Sequence, residues 1–287
     1  MNNILVPYDF NPQSVLALDW SLQLAKKLHC NVTMLYVNEL QGIISSVFSK
    51  EQDEEILEKI GEEMDTTAAK LSLGSGLDVE VRIQQGRVYS VILEVAAELQ
   101  SSFIVMGSRS NDPDDHDQKP MVGRNTSRVI RMAKCPVISI GGTYLPDNCN
   151  SVLLPLDLTK ETLQKTTWAI TMAKIFGAGI RAVSALWSVN NPEIMARLIL
   201  QMDKVKETIE AAGVRCTTHI IETTSGEKTA VPSILDYAAK EGDVGLMVIM
   251  TQQESALVEF FVGSHAQEFI RLSAIPVMSV VPEDKGA

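Results

Sequence analysis

Short apolar runs alternate with longer stretches of helical period along the whole chain. In the first half, runs rich in β-branched residues fall at about 3–8, 31–37, 78–83, 102–107 and 136–141, as strands buried on both faces do. The first intervening stretch reads as a helix: Asn11 caps it, Pro12 opens it, and Val15, Leu18, Leu22 and Ala25 line one face. The next stretch, at about 50–73, sets Ile56, Ile60, Met64, Ala68 and Leu71 along one stripe opposite a dense acidic face. Its counterpart at about 192–212 turns Ile194, Leu198, Met202, Val205 and Ile209 inward. Strand and helix in strict alternation, with crossovers long enough to be helical, predict doubly wound parallel sheets covered on both faces.

The pattern occurs twice. Ile4-Leu5-Val6-Pro7-Tyr8-Asp9 recurs as Val152-Leu153-Leu154-Pro155-Leu156-Asp157, an offset of 152 − 4 = 148 that also superposes Trp20 on Trp168 and Ala25 on Ala173. Ile104-Val105-Met106 matches Val248-Ile249-Met250 at 248 − 104 = 144, which sets Thr251 opposite Gly107. Gly123 matches Gly263, and Pro136-Val137 matches Pro276-Val277, at an offset of 140. Turn chemistry around Gly141 to Asn150 marks the junction, so two α/β domains are expected over residues 1–143 and 150–283.

Composition narrows the function classes. With 25 basic and 36 acidic residues among 287, the net charge is −11, and 45% of the residues are hydrophobic. Such a chain folds, and its charge argues against non-specific binding to nucleic acid or to an anionic membrane. No apolar run approaches the roughly 18 residues a bilayer requires, and the N-terminus lacks the charged and apolar regions of a signal peptide. Cys30, Cys135, Cys149 and Cys216 form no paired motif, as in a reduced, cytoplasmic protein where they act as mostly buried small hydrophobes.

In open parallel sheets, ligands sit beyond the carboxyl ends of the strands at the switch point of strand order. Pro7-Tyr8-Asp9 follows the first strand and Met106-Gly107-Ser108-Arg109-Ser110 the fourth. Gly123 precedes a helix whose amides at Arg124, Asn125 and Thr126 can face an anion. These segments, with Ala133-Lys134-Cys135-Pro136-Val137, resemble the universal stress protein family, and the resemblance spans both halves. It implies two five-stranded parallel sheets of the adenine-nucleotide-binding type, each in the order 3-2-1-4-5, in a tandem stress-response protein.

The members that bind ATP resemble one another in Gly-x-x-Gly, nine residues, then Gly-Ser/Thr, with the Asp after the first strand against the adenosine. Carried over, that implies an adenine-nucleotide site of Pro7, Asp9, Val37, Gly107, Gly123, Asn125 and Thr126, for ATP or AMP, with magnesium only alongside the nucleotide. Ser110 departs from the second glycine, the spacing to Gly123 is 123 − 110 − 1 = 12 residues, and Arg124 replaces the small hydroxyl residue. The second half offers Asp157, Gly263, Ser264 and His265, with Thr251 and Glu254 against the glycine positions. An acid there repels phosphate. On the residues alone, the aspartates can simply begin turns, Gly107 relieve crowding, and Gly123 start a helix.

Other constellations point away from catalysis. Asp112, Asp114, Asp115, His116 and Asp117 crowd one loop, yet the glycine and glutamate positions of a calcium loop hold Asp117 and Gly123. His29, His219 and His265 lack metal-ligand spacing, and neither a nucleophile elbow nor a Walker loop is present. Trp20 and Trp168 are expected as core anchors. The fifth strands, from Val137 and from Val277, are expected by the resemblance to pair within the chain as a pseudo-dimer, with a homodimer as a further possibility. A non-catalytic, adenine-nucleotide-responsive regulator is the leading expectation. An interaction scaffold without nucleotide and a slow magnesium-dependent ATPase are the alternatives.

Overall fold

The computed structural model describes residues 3–39, 50–108, 121–142, 145, 148–156, 162–187, 192–223, 230–251 and 264–281. They form two compact units that divide after Ile140. The first runs β1 (Asn3–Pro7), α1 (Pro12–Leu28), β2 (Asn31–Asn38), α2 (Lys50–Ser75), β3 (Val79–Gln85), α3 (Val88–Glu98), β4 (Phe103–Gly107), α4 (Arg124–Met132) and β5 (Val137–Ile140). The second runs β6 (Ser151–Pro155), α5 (Thr162–Phe176), β7 (Gly179–Trp187), α6 (Pro192–Ala211), β8 (Cys216–Thr223), α7 (Ala230–Glu241), β9 (Val244–Met250), α8 (Ser264–Leu272) and β10 (Val277–Val280).

Strand order is β3-β2-β1-β4-β5 in the first unit and β8-β7-β6-β9-β10 in the second, all pairs parallel. Right-handed crossovers put α1 and α2 on one face of the first sheet, and α3 packed with α4 on the other. The central strands are therefore sealed on both sides: Ile4, Leu5, Val6, Val32, Ile104 and Val105 are wholly buried. Order reverses between β1 and β4, which opens the crevice at their carboxyl ends.

The helices follow the sequence with local exceptions. Asn11 caps α1 by accepting from the amides of Gln13 and Ser14, both at 2.8 Å. His29 ends that helix in the left-handed region, and its amide bonds to the carbonyl of Ala25. On α2, Met64 and Ala68 are buried, but Ile56 is 48% exposed, so the stripe meets the sheet only past the first turns. Leu198, Met202, Val205 and Ile209 of α6 are buried as expected, while the side chain of Ile194 lies outside the described residues. Trp20 is buried and Trp168 half-buried. All four cysteines are free, and burial pushes the thiols of Cys135 and Cys216 up to about 11, so both are protonated at neutral pH.

The amino ends of the two sheets solve one problem differently. In the first unit Asn3 donates from Nδ2 to Thr33 Oγ1 at 2.8 Å, and Ser101 donates to Asn3 Oδ1 at 3.4 Å. At the equivalent place Arg181 binds Asp243 through two bonds of 2.9 Å, and Ser151 donates to Asp243 at 2.8 Å. Glu241 adds an ion pair to Arg181 at 2.8 Å. The hydrogen bonds from Arg181 hold the Asp243 carboxyl below the usual carboxylate range. Beside this network β9 carries a bulge: Ser151 pairs with Val244 but Val152 with Leu246, and a Cβ on the skipped Gly245 would collide with Cα of Cys149.

Two stability measurements follow. Asp243→Ala should cost about 1–2 kcal/mol at pH 7 in urea unfolding, because it removes two hydrogen bonds to the Arg181 guanidinium and one from Ser151, leaving Arg181 with Glu241 and Tyr237. Since Asp243 is depressed in the fold, its contribution is present above the unfolded value of about 4. It is lost as pH falls through the folded value, so parent and variant should converge in acid. Gly245→Ala should cost about 1–3 kcal/mol, because backbone must move to admit the methyl group. A neutral Gly245→Ala would show that the bulge is dispensable.

Candidate functional site

The site is assembled where β1, β2 and β4 end. The Tyr8 amide donates to the Leu35 carbonyl at 2.8 Å, which carries the ladder one residue past β1. The chain then turns sharply at Phe10, a non-glycine residue at φ 63°, to enter the α1 cap. Asp9 is exposed at this turn and its carboxylate is oriented, accepting from Asn11 Nδ2 at 2.7 Å and from the Asn11 amide at 3.3 Å. Phe10 meets Tyr8 edge-on, with centroids 5.0 Å apart, and lies 6.3 Å from Tyr36. Burial and the nearby Asp9 charge raise the phenols of Tyr8 and Tyr36, so both stay neutral at pH 7. Val37, next on β2, is half-buried.

Opposite stands the junction of β4 with α4. The Ser108 amide donates to the Ile140 carbonyl at 2.9 Å, and the Gly123 amide returns to the Ser108 carbonyl at 2.8 Å. Thr126 donates from Oγ1 to the Gly107 carbonyl at 3.0 Å. These bonds fix the first turn of α4 over the end of β4. Gly123 caps α4 without a side-chain acceptor. Arg124 is exposed there, Asn125 half-buried and Thr126 buried. A Cβ on Gly107 would stand 3.0 Å from Cβ of Gln13. The first turn of α1 thus lies close over the end of β4, and Asp9 and the α4 terminus flank one crevice.

The structure therefore brings together Pro7, Asp9, Val37, Gly107, Gly123, Arg124, Asn125 and Thr126 at one end of one sheet. It gives two of them structural work: the Thr126 hydroxyl and the Gly123 amide are engaged within the junction. Phe10, Tyr36 and Gln13 join the crevice although no motif marked them. The left-handed turn at Phe10 had no glycine or asparagine to announce it. Ser110, Asp157, Gly263, Glu254 and the acidic segment 111–117 lie outside the described residues, as does the side chain of Ser264; His265 is exposed in the first turn of α8. Among the described residues no three His, Cys, Asp or Glu side chains could hold a metal. No described helix is long and apolar enough to cross a membrane.

In the second unit the strand register corrects one equivalence. Leu5 pairs with Ile104 and Leu153 with Met247, while Ile104 pairs with Val137 and Met247 with Val277. The offset along β9 is therefore 247 − 104 = 143, not 144, and Met250, not Thr251, stands at the Gly107 position. Thr251 takes the place of Ser108: its amide donates to the Val280 carbonyl at 2.9 Å. The apolar runs Phe103–Met106 and Leu246–Met250 look alike in either register. Lys165, 6% exposed, stands where α1 has the wholly buried Ala17. Two bulky side chains thus replace a glycine and an alanine.

A family model described as the universal stress protein family matches residues 1–140 and again 149–281, and the chain belongs to that family. The fold resembles a universal stress protein from Archaeoglobus fulgidus, 21% identical over 98% of each chain, with a TM-score of 0.75. It also resembles a functionally unknown protein from Pseudomonas aeruginosa, 16% identical over 99% of this chain and 94% of that one, with a TM-score of 0.66. At these identities the likeness shows the fold. No match is found among curated proteins.

The turn at Asp9 yields a test that helix propensity alone would not. Asn and Asp cap helices about equally well, yet Asn11→Asp would set a second carboxylate where Nδ2 now donates to Asp9 at 2.7 Å. Asn11→Asp should lose about 1 kcal/mol in thermal or urea unfolding, and added salt should recover part of the loss. Equal stability would mean that the Asp9 carboxylate is not held by Asn11.

Proposed function

We propose that the first unit binds an adenine nucleotide, such as ATP or AMP, and that the chain is a non-catalytic, nucleotide-responsive stress protein. The observation that carries this reading is the crevice itself. One rim is an oriented, exposed carboxylate at Asp9; the other is a helix terminus capped by a glycine, with Arg124 in its first turn. A carboxylate that only accepts hydrogen bonds suits the hydroxyls and amine of an adenosine. Helix-terminal amides and a guanidinium suit phosphate. Gly107 supports the fit, since a side chain there would occupy the end of β4 facing α1. Tyr36 and Val37 supply an apolar flank at the end of β2. Magnesium would enter with the phosphates.

The second unit is proposed to be silent, because Met250 fills the Gly107 position and Lys165 the Ala17 position. Titration calorimetry with ATP and magnesium should therefore report one site per chain. Asp9→Ala and Gly123→Val should each weaken binding at least tenfold, about 1.4 kcal/mol, with the fold intact by circular dichroism. Binding unchanged in both variants would contradict the assignment. The absence of any heat would favour the scaffold.

A further inference from the structure

Among the described residues the sheet of the second unit ends in β8, and no described element pairs with its outer edge. β8 pairs with β7 without interruption from Ile180 opposite Cys216 to Trp187 opposite Thr223, and is the outermost strand of that unit among the described residues. The Ile180 amide donates to the Arg215 carbonyl at 2.8 Å. A parallel ladder then turns the polar groups of Thr217, His219 and Ile221 toward β7, and those of Cys216, Thr218, Ile220 and Glu222 outward. Edge strands are ordinarily guarded by lysine, proline, bulges or charge. The matching edge of the first unit, β3, carries Glu80 and Arg82. β8 reads Cys-Thr-Thr-His-Ile-Ile-Glu-Thr, with no proline, lysine or arginine, and its register is continuous.

We propose that β8 pairs antiparallel with β8 of a second copy of this chain, about a two-fold axis at His219. Outward-facing groups must meet outward-facing groups, so an axis through a residue is allowed and one between residues is not. The register centred on His219 sets Thr218 opposite Ile220 and Cys216 opposite Glu222 as hydrogen-bonded pairs. Thr217 lies opposite Ile221, and His219 opposite its own copy, as non-hydrogen-bonded pairs. Every β-branched residue from 217 to 221 thereby meets another β-branched residue, a favourable cross-strand pairing. Glu222 meets Cys216 and not a second acid. This self-complementarity is what selects a second copy over a foreign strand. The same axis sets α6 beside its copy; that helix leaves Ile199 and Leu200 45% and 62% exposed. A two-fold contact of this kind closes on itself and yields dimers rather than fibres.

Sedimentation equilibrium of the full chain over a concentration series tests the proposal, independently of nucleotide. The parent chain should dimerise, and Ile220→Lys should raise the dissociation constant at least tenfold. Thr218→Lys serves if that variant does not fold. His219 is exposed and stacks on Tyr237 with ring centroids 4.9 Å apart, so His219→Cys gives up one ring contact at the surface, and circular dichroism checks that the variant folds. Antiparallel non-hydrogen-bonded pairs place Cα atoms about 4.5 Å apart, within reach of a disulfide. His219→Cys should therefore give a covalent dimer on mild oxidation that the parent, with its four native cysteines, does not give. A parent that stays monomeric throughout overturns the proposal. So does a dimer that survives the lysine variant and does not crosslink through position 219.

Discussion

The carboxyl end of the first sheet depends on the junction between β4 and α4. Two hydrogen bonds make it: the Thr126 hydroxyl to the Gly107 carbonyl, and the Gly123 amide to the Ser108 carbonyl. Buried polar groups at a strand end must find partners, and here each partner comes from the other side of the junction. The consequence is positional. The first turn of α4 is fixed against the end of β4, while α1 closes over Gly107 from the opposite face. What the fold leaves between these elements is the crevice that Asp9 enters from β1.

The second unit keeps the topology and changes the contents. Its β9 bulges at Gly245, Met250 takes the glycine position, and on α5 the buried Lys165 stands where α1 has Ala17. Its amino end exchanges a neutral Asn-Thr-Ser cluster for the ionic one around Arg181, in which the carboxylate satisfies both the guanidinium and a serine. The pair is half-buried, so its bidentate geometry contributes more than a surface ion pair would. The duplication thus sets Gly107 and Ala17 in one half against Met250 and Lys165 in the other.

Much of this was legible in the sequence. Asn11 and Pro12 announced α1, the apolar runs announced every strand of the first unit, and repeat plus resemblance together gave the doubly wound order. The positions of Asp9, Gly107 and Gly123 at strand and helix ends were legible for the same reason: they punctuate those ends. What escaped was whatever depends on register or on long-range pairing. From Leu246 to Met250 β9 is an apolar run with no internal marker of register, so Met250 aligns with Met106 in sequence but stands at the Gly107 position in the structure; only Gly245 marks the bulge. The partners of Arg181 lie about sixty residues away in sequence. The strained turn at Phe10 is held by aromatic packing, not by a permissive residue, and so carried no composition signal.

The central claim is that one unit, and not both, holds a nucleotide. The most direct test is to denature the freshly purified chain and quantify any released nucleotide by chromatography and mass spectrometry. Near one adenine nucleotide per chain, reduced by Asp9→Ala and unchanged by Met250→Ala, is the predicted result. Two per chain, or loss through Met250→Ala but not Asp9→Ala, would contradict the assignment to the first unit.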